Sequence, residues 1–272
     1  MTCRIDQLPV VLTSFAYREE YFPEIDGMLA TIREHHPNWH VVFGKGPIAG
    51  LDRPTLDIQS PKGKSRWTLP VAFQLEGSEN DWFRIVWMKA WWMAQVWHQF
   101  GDAGGTGVSR IVWLDADARL NGPLDILLDP EKETVAGPWP GANGTMDDHI
   151  TSGFLVFQGR KGGVIESIIN QWSTKCLSHI CNPPPPSPLW QFGEGDQEVL
   201  TMVLRSEMER SQFTLCKLDY DKYCGLPADE TFEPEPGALI HQWMMNEKMR
   251  FPEDRSRDWP PPEHARRKVV SN

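Results

Sequence analysis

The spacing of apolar positions along the chain is typical of an α/β protein. Leu8 to Phe15 is a short apolar run with β-branched residues, which predicts a buried strand. Residues 22–36 carry apolar side chains at helical spacing, and Trp39 to Phe43 is a second apolar run. A strand, a helix and a strand in this order predict a parallel sheet with helical crossovers.

The pattern continues over the rest of the chain. Asp81 to Phe100 has the strongest helical pattern, and Ser109 to Leu114 is an apolar strand that leads directly into two aspartates. Shorter segments predict strands at 135–137, 153–157, 213–218 and 238–241 and helices at 162–178 and 196–205. Segments rich in proline, glycine or polar residues predict an irregular loop at 50–80 with one short strand near 69–75, a stiff loop at 182–188, and a polar tail at 252–272.

The composition is that of a globular domain. The chain has 272 residues, of which 40% are hydrophobic and 24% charged, and no apolar run of about 18 residues that could cross a membrane. Its first residues lack the apolar core of a signal peptide. We therefore expect one α/β domain over residues 1–251, with a mixed, mostly parallel central sheet flanked by helices, and the tail after it.

The cysteines and the net charge narrow the class of protein further. Five cysteines without a CxxC pair indicate neither a disulfide framework nor a zinc site, so we expect a reducing, cytoplasmic environment. A formal net charge of −10 argues against a general nucleic-acid-binding protein, because phosphate contacts need a basic surface. An anionic small ligand is compatible with this charge if a cation or a few local basic residues hold it.

The clearest candidate for chemistry follows the strand at 109–114. Asp115 and Asp117 lie at the carboxyl end of this strand, which is where ligands bind in open α/β sheets. Two carboxylates in that position can hold a hard divalent cation, and such a cation would neutralise a diphosphate. The alternative is an acidic turn in which Asp117 caps the next segment, and a bare Asp-x-Asp pattern does not decide between the two.

Five blocks of sequence within residues 10–243 resemble the GT-A family of nucleotide-sugar glycosyltransferases, in the family's order. They are most similar to the glycogenin-like family 8 branch and its bacterial and viral relatives. The blocks are VVLTSFAY at 10–17, RIVWMKAWWMAQV at 84–96, RIVWLDADARL at 110–120, ITSGFLVF at 150–157, and GEGDQEVL at 193–200 followed by ALIHQW at 238–243. The resemblance implies a Rossmann-like GT-A domain and an enzyme that moves a sugar from a nucleotide-diphosphate donor, expected to be a UDP-sugar, to an acceptor hydroxyl.

The resemblance also implies a metal site. Asp115 and Asp117 match the family's DxD motif, which binds Mn²⁺ or Mg²⁺ and through it the donor diphosphate, and Asp115 would also face the ribose or the sugar. His241 matches the late histidine that supplies a further metal ligand, and an imidazole beside two carboxylates suits Mn²⁺ better than Ca²⁺. The branch's lysine six residues after this histidine has no counterpart at the same spacing, because residue 247 is Glu and Lys248 is one position late.

Other residues of the blocks match positions that line the donor in this family. Thr13, Ser14 and Tyr17 match the loop after the first strand, which holds the base and ribose. The remaining matches are Arg84 and Lys89 on the helix whose basic residues approach the diphosphate or sugar, Ser152 and Gly153 beside the donor sugar, and Asp196 and Gln197 at the reacting centre. Each match has a structural alternative, such as an N-cap for Asp196 or a solvated helix face for the two basic residues.

The stereochemistry of transfer has two possible courses, and the Asp-Gln pair favours retention. A retaining enzyme of the family 8 type has no obvious separate base, and the donor phosphate can take the proton. An inverting enzyme needs a carboxylate base on the acceptor side, for which Asp196, Glu194 or Asp148 could serve.

The 13 tryptophans divide into two groups by position. Five lie in the predicted helix at 81–100, where their spacing favours a place in the core. Trp139, Trp190 and Trp243 flank predicted loops beside the aspartates and are candidates for stacking on a sugar ring.

Three other functions are compatible with the sequence. A nucleotidyltransferase usually carries a glycine-rich phosphate loop near its N-terminus, and residues 10–20 contain no glycine. A phage-type glycosyltransferase acting on hydroxymethylated DNA bases would need a basic surface, for which the segment 266–268 is a local candidate against the net charge of −10. A carbohydrate-binding protein without catalysis would bind sugars through exposed tryptophans.

Overall fold

An eight-stranded mixed sheet forms the centre of the molecule. The structure is a computed structural model that describes residues 2–48, 50–70, 81–102, 104–139, 149–182, 195–224 and 237–242. The strands are β1 (Cys3–Arg4), β2 (Val11–Tyr17), β3 (His40–Gly46), β4 (Thr55–Ser60), β5 (Gly63–Thr68), β6 (Val108–Leu114), β7 (Ala118–Leu120), β8 (Leu127–Leu128), β9 (Thr134–Trp139), β10 (Phe154–Arg160), β11 (Thr214–Asp219) and β12 (Ile240–Gln242). The helices are α1 (Phe22–His35), α2 (Asp81–Phe100), α3 (Val164–Cys181), α4 (Asp196–Met208) and α5 (Tyr220–Tyr223), with short 3₁₀ turns at Ile5–Gln7 and Glu19–Tyr21.

The strand order of the central sheet is β11-β9-β10-β6-β2-β3-β4-β5, and the pairs β1-β8 and β7-β12 lie outside it. β2 is parallel to both β3 and β6, with Val11 opposite His40 and Ile111. β4 and β10 run against the other six strands of the sheet. The prediction of a mixed, mostly parallel sheet with a β-α-β start is therefore confirmed.

Helices cover the sheet on both faces, and β2 is buried between them. Every residue of β2 is buried, and its side chains alternate between two hydrophobic clusters. Val11 and Phe15 belong to the cluster that includes α2, α3 and α4, whereas Leu12 and Ala16 belong to the cluster that includes α1. A strand covered on both sides has an almost continuous apolar sequence, which is the pattern that predicted this strand.

The tryptophans of α2 whose side chains the structure describes belong to the core. Four of them have exposed fractions of 9% or less: Trp87, Trp91, Trp92 and Trp97. Trp92 Nε1 donates a hydrogen bond to Thr13 Oγ1 at 2.7 Å. Its ring passes so close to Gly44 that a Cβ at that glycine would lie 2.8 Å from a ring carbon. The indole therefore anchors α2 against β2 and β3.

The segment predicted as an irregular loop contains a β-hairpin at the edge of the sheet. β4 and β5 pair antiparallel, with Leu56 opposite Trp67, and Gly63 at the turn has a φ of 103°. The loop prediction was wrong because an edge hairpin buries few side chains, here Leu56 and Ile58, and so has a sparse apolar pattern. Residues 71–80, most of the predicted stiff loop and the whole predicted tail lie outside the described part of the chain.

All five cysteines are free thiols. Burial raises the pKa of Cys176 and of Cys224, so neither is a reactive thiolate near neutral pH. In the part of the chain that the structure describes, no helix has the length and apolar character needed to cross a membrane.

His36, directly after α1, is a buried neutral histidine. Its ring stacks on Trp39 with the ring centroids 3.9 Å apart, and its Nε2 accepts a hydrogen bond from Leu124 N–H at 3.0 Å. Burial lowers the pKa of His36 to about 4. A proton on Nε2 would also face a backbone donor and break this hydrogen bond.

We expect His36→Gln to weaken the pH dependence of stability. The unfolded chain binds a proton at His36 below about pH 6.5 and the native state only near pH 4, so the parent loses stability as the pH falls through this window. Between about pH 7 and about pH 4.5 the variant should lose roughly 2 kcal/mol less than the parent in urea unfolding. His40→Gln, which replaces an exposed histidine, should behave like the parent. Equal losses for His36→Gln and the parent would contradict the assignment.

Candidate active site

One edge of the central sheet gathers the ends of its parallel strands. β2, β3, β6, β9 and β11 end there and β10 begins there, since Phe154 lies opposite Leu114 and Asp219 opposite Trp139. We call it the carboxyl edge. It is the edge at which ligands bind in open α/β sheets.

Residues 115–118 form a tight turn directly after β6, here called the aspartate turn. Ala118 N–H donates to Asp115 O at 3.0 Å, and Asp115 N–H donates to Gly153 O at 2.9 Å. Trp113 Nε1 donates to Asp115 Oδ1 at 2.8 Å. These bonds hold the Asp115 carboxylate beside the start of β10.

Lys89 of α2 joins three separate segments at this edge. Its Nζ lies 3.0 Å from Asp115 Oδ1 and 3.4 Å from Asp196 Oδ2. The same ammonium donates to the O and Oγ of Ser152, each at 3.1 Å, and lies 5.3 Å from the centroid of the Trp113 ring. The Lys89 side chain is only 7% exposed, so these groups determine the environment of its charge. We call Lys89, Asp115, Ser152 and Asp196 the Lys89 cluster.

The Lys89 cluster and Asp117 together carry more negative than positive charge. Burial alone would lower the pKa of Lys89, but Asp115 and Asp196 outweigh it and raise that pKa above its usual value. Burial raises the pKa of Asp115, with Lys89 opposing and Asp117 adding to the shift. Because the ammonium of Lys89 faces Asp115 and Asp196 while Asp117 adds a third carboxylate beside Asp115, a divalent cation at Asp115 and Asp117 would relieve the excess of negative charge.

The chemistry of the donor atoms also suits a hard cation. Carboxylate oxygens are the ligands that Mg²⁺ and Mn²⁺ prefer, and Asp196 adds a buried Oδ2 that lies 3.4 Å from Lys89 Nζ but accepts no hydrogen bond from the described residues. No three His, Cys, Asp or Glu side chains within the described ranges meet in a ligand set. The backbone of His241 pairs with Arg119, two residues after Asp117. The His241 side chain lies outside the described part, so its role as a ligand stays a prediction.

Asp196 is the first residue of α4, but its carboxylate does not cap the helix. Gly195 occupies the N-cap position, and no side chain caps the helix there. Trp172 Nε1 donates to Asp196 O at 2.8 Å, which ties the start of α4 to α3, while the carboxylate faces Lys89. Asp196 therefore does not act as the N-cap of α4, which was the structural alternative for this residue.

Two further predicted site residues lie on the helices that carry members of the Lys89 cluster. Gln197 follows Asp196 on α4, and Arg84 lies on α2. Gln197 Nε2 lies 3.1 Å from His149 Nε2 and donates to Glu198 Oε1 at 3.1 Å. Arg84 is half-buried on α2, more than one helical turn before Lys89.

The polar residues of the first block lie inside a strand, whereas the sequence predicted a turn after it. β2 extends to Tyr17, and Thr13, Ser14 and Tyr17 are at most 5% exposed. The end of the strand was predicted two residues early because hydroxyl residues suggest a turn, but Thr13 satisfies its hydroxyl by donating to Val42 O at 2.8 Å. At the carboxyl edge β2 ends with Tyr17, and Arg18, which follows it, has a φ of 97°.

Of the three tryptophans predicted to stack on a sugar, the structure describes Trp139. It ends β9 at the carboxyl edge, but it is 7% exposed and Lys217 Nζ lies 4.1 Å from its ring centroid. A sugar cannot stack on the ring face that Lys217 covers. The others, Trp190 and Trp243, lie outside the described residues, as do the predicted carboxylates Glu194 and Asp148.

Sequence reasoning missed Arg18, Trp113 and Arg119. Trp113 had a readable signal, because residues i and i+2 of an extended segment share a face and Asp115 is two positions on. Arg18 had a weaker signal in the sequence, because it is a basic residue directly after the first strand. Arg119 had no signal in the sequence, since its ion-pair partner, Glu24, is 95 residues away in the chain.

A solved structure has the same fold over nearly the whole chain. A glycosyltransferase involved in the glycosylation of the major capsid of PBCV-1 matches 90% of this chain and 100% of its own, with a TM-score of 0.51 and 12% sequence identity. The chain has a glycosyltransferase fold. Neither a protein-family model nor a curated protein matches its sequence.

Two further glycosyltransferases are similar at lower TM-scores. The glycosyltransferase GlyE of Streptococcus pneumoniae TIGR4 matches 87% of this chain with a TM-score of 0.48 and 12% identity, and the match spans 54% of GlyE. The galactosyltransferase LgtC, in complex with donor and acceptor sugar analogs, matches 86% of this chain and 87% of its own, with a TM-score of 0.46 and 12% identity. At such identities the comparison establishes the fold, and the roles of residues have to come from the site.

Proposed function

We propose that this protein transfers a sugar from a nucleotide-diphosphate donor, a UDP-sugar, to an acceptor hydroxyl on a glycan or a small molecule. The observation that carries the proposal is the Lys89 cluster at the carboxyl edge of a glycosyltransferase fold. The buried ammonium of Lys89, the buried carboxylate of Asp196 and the partly exposed carboxylate of Asp115 meet there beside Asp117, at the edge where ligands bind in open α/β sheets.

Asp115 and Asp117, with His241 as a third ligand, would hold Mn²⁺ or Mg²⁺. When bound, such a cation neutralises the donor diphosphate and the charge that grows on it as the bond to the sugar breaks. The contribution of the protein is preorganisation, because Trp113 and Lys89 hold the Asp115 carboxylate in one orientation before any ligand arrives.

Lys89 has two tasks in this proposal. Its three N–H donors face Asp115, Ser152 and Asp196, so it fixes these groups relative to one another. Its positive charge lies at the carboxyl edge near the expected diphosphate and sugar, and its raised pKa keeps that charge present at neutral pH. Charges that are ordered in advance stabilise a transition state without reorganisation.

Asp196 and Gln197 would lie at the reacting centre. Asp196 is 5% exposed and its carboxylate lies against the Lys89 ammonium, so it is not placed to receive an acceptor hydroxyl as a general base. This supports a retaining course, which needs no separate base, over inversion with Asp196 as the base. Gln197 is positioned by His149 for a contact with the sugar or the acceptor.

The donor nucleotide would lie at the end of β2. Thr13 and Ser14 are buried within the strand and would affect the donor only indirectly, by fixing the position of β2. Tyr17 and Arg18 are nearest to the carboxyl edge. Arg84 would approach the diphosphate from α2. Ser152 and Gly153, which are already bonded to Lys89 and Asp115, would line the sugar.

Removal of divalent cations tests this proposal directly. Across a panel of UDP-, GDP- and ADP-sugars, we expect nucleotide release from UDP-sugars with Mn²⁺, a fall of at least about 100-fold in EDTA, and recovery when Mn²⁺ or Mg²⁺ is restored. Water serves as the acceptor in this assay, and NMR of the anomeric proton reports retention or inversion. Full turnover in EDTA would contradict the metal role, and turnover confined to GDP- or ADP-sugars would contradict the proposed donor.

A further inference from the structure

Arg119 is a buried arginine directly behind the aspartate turn. It is 4% exposed, and arginine is rarely buried to this extent without specific partners. Its Nη1 donates to Ala118 O at 2.8 Å and to Ala116 O at 3.4 Å. These carbonyls belong to the residue before Asp117 and the residue after it, so a single guanidinium group bridges the backbone on both sides of Asp117.

The guanidinium is itself held by α1. Its Nη2 lies 2.6 Å from Glu24 Oε2, and the Glu24 side chain is only 12% exposed. Gly27, one turn further along α1, leaves the space for this group, because a Cβ there would lie 2.4 Å from Nη2. The aspartate turn is thus connected through Arg119 to a helix on one face of the sheet.

A buried ion pair of this kind is not explained by stability alone. Taking both charges out of water has a large desolvation cost, and apolar residues of similar volume are often as stable. A role in positioning the aspartate turn is therefore a better explanation. The backbone of Arg119 supports this, because it pairs with His241 in β12 and so lies between the aspartate turn and the predicted third metal ligand.

We propose that Arg119 is a positioning residue for the metal site, and this inference rests on the proposed function. Each peptide group is planar, so holding the peptide group before Asp117 and the one after Ala118 restricts the backbone between them and with it the direction of the Asp117 Cα–Cβ bond. By bonding to both carbonyls, Arg119 sets the direction in which the Asp117 carboxylate meets a cation. Residues that orient metal ligands in this way typically change metal affinity by about 10- to 100-fold when they are substituted.

The test compares Mn²⁺ affinity in the absence of any nucleotide sugar, by electron paramagnetic resonance of free Mn²⁺, together with thermal melting. We expect Arg119→Met to bind Mn²⁺ about 10- to 100-fold more weakly than the parent. Because this variant leaves Glu24 buried without a partner, the double variant Glu24→Met with Arg119→Met is included. It should regain most of the melting temperature but keep the weak Mn²⁺ binding.

Arg110→Met is the matched control. Arg110 is also 4% exposed, and its Nε donates to Gln158 Oε1 at 2.7 Å near the start of β6, at the edge of the sheet away from Asp115. This variant should lower the melting temperature and leave the Mn²⁺ affinity unchanged.

The outcomes separate this inference from the proposed function. If the parent binds Mn²⁺ and the double variant binds it equally well, Arg119 has only a structural role and the inference is overturned. If the parent binds no Mn²⁺, the proposed metal site is wrong, and the role of Arg119 falls with it. Equal weakening by Arg110→Met would show that the affinity follows stability, which also overturns the positioning role.

Discussion

Asp117→Asn is expected to lower the turnover of a UDP-sugar by about a thousandfold, which corresponds to about 4 kcal/mol in activation free energy. The substitution preserves the size of the side chain and removes the negative charge that a divalent cation needs. Asp117 is half-buried in the aspartate turn, so an amide of the same shape should change the melting temperature only slightly. Nucleotide release with Mn²⁺ present measures the effect on turnover.

Asp129→Asn is the matched control for this prediction. Asp129 is also half-buried and precedes β9, and its carbonyl accepts a hydrogen bond from Gln158 Nε2 at 2.7 Å, away from the carboxyl edge. Its turnover and Mn²⁺ affinity should match those of the parent. If Asp117→Asn also kept parental turnover and affinity, the aspartates would form an acidic turn and the DxD assignment would be wrong.

Lys89→Met is expected to lower both stability and turnover. Asp115 and Asp196 would lose the ammonium that lies between them, and an uncompensated buried charge costs about 3–5 kcal/mol. That is a large share of the stability of a typical domain. Turnover should also fall, by about a hundredfold or more, because the charges of the site are no longer held in place. Thermal melting and kcat/KM measure the two effects.

A second substitution separates these two effects. Lys89→Met combined with Asp196→Asn removes one of the two unpaired carboxylates, so it should regain much of the melting temperature while turnover stays low. Arg160→Met is the control, because it breaks an ion pair on the surface: the side chain of Arg160 is 58% exposed and that of its partner Glu131 is 82% exposed. Such exposed ion pairs contribute little to stability. It should change neither quantity. If turnover returned together with stability in the double variant, Lys89 would have a structural role only.

The sequence predicts best those elements whose buried face appears as regularly spaced apolar residues. The helix predicted at Asp81 to Phe100 is α2 with the same bounds, because a long helical pattern between loops leaves few alternatives. The hairpin of β4 and β5 was missed, since its outward side chains give no apolar pattern. The two-residue strands β1 and β8 are too short to have a period at all.

The aspartates of the site were visible in the sequence, but their surroundings were not. Asp115 at the end of a buried strand follows from the local pattern. The contact between Lys89 and Ser152 joins residues 63 positions apart, and it exists because β10 runs antiparallel beside β6 and starts at the carboxyl edge. Such an arrangement depends on strand order and direction, which local apolar spacing does not encode.

The packing of α2 has a consequence for how this protein could be altered. α2 supplies both the indoles of the core and Lys89. Trp92, three residues after Lys89, packs against Gly44 so closely that no side chain would fit between them. A change in that contact would shift the backbone that carries Lys89. Distance from the aspartates therefore does not separate substitutions that affect stability from those that would affect the proposed transfer. Attempts to alter the proposed donor preference should keep α2 unchanged.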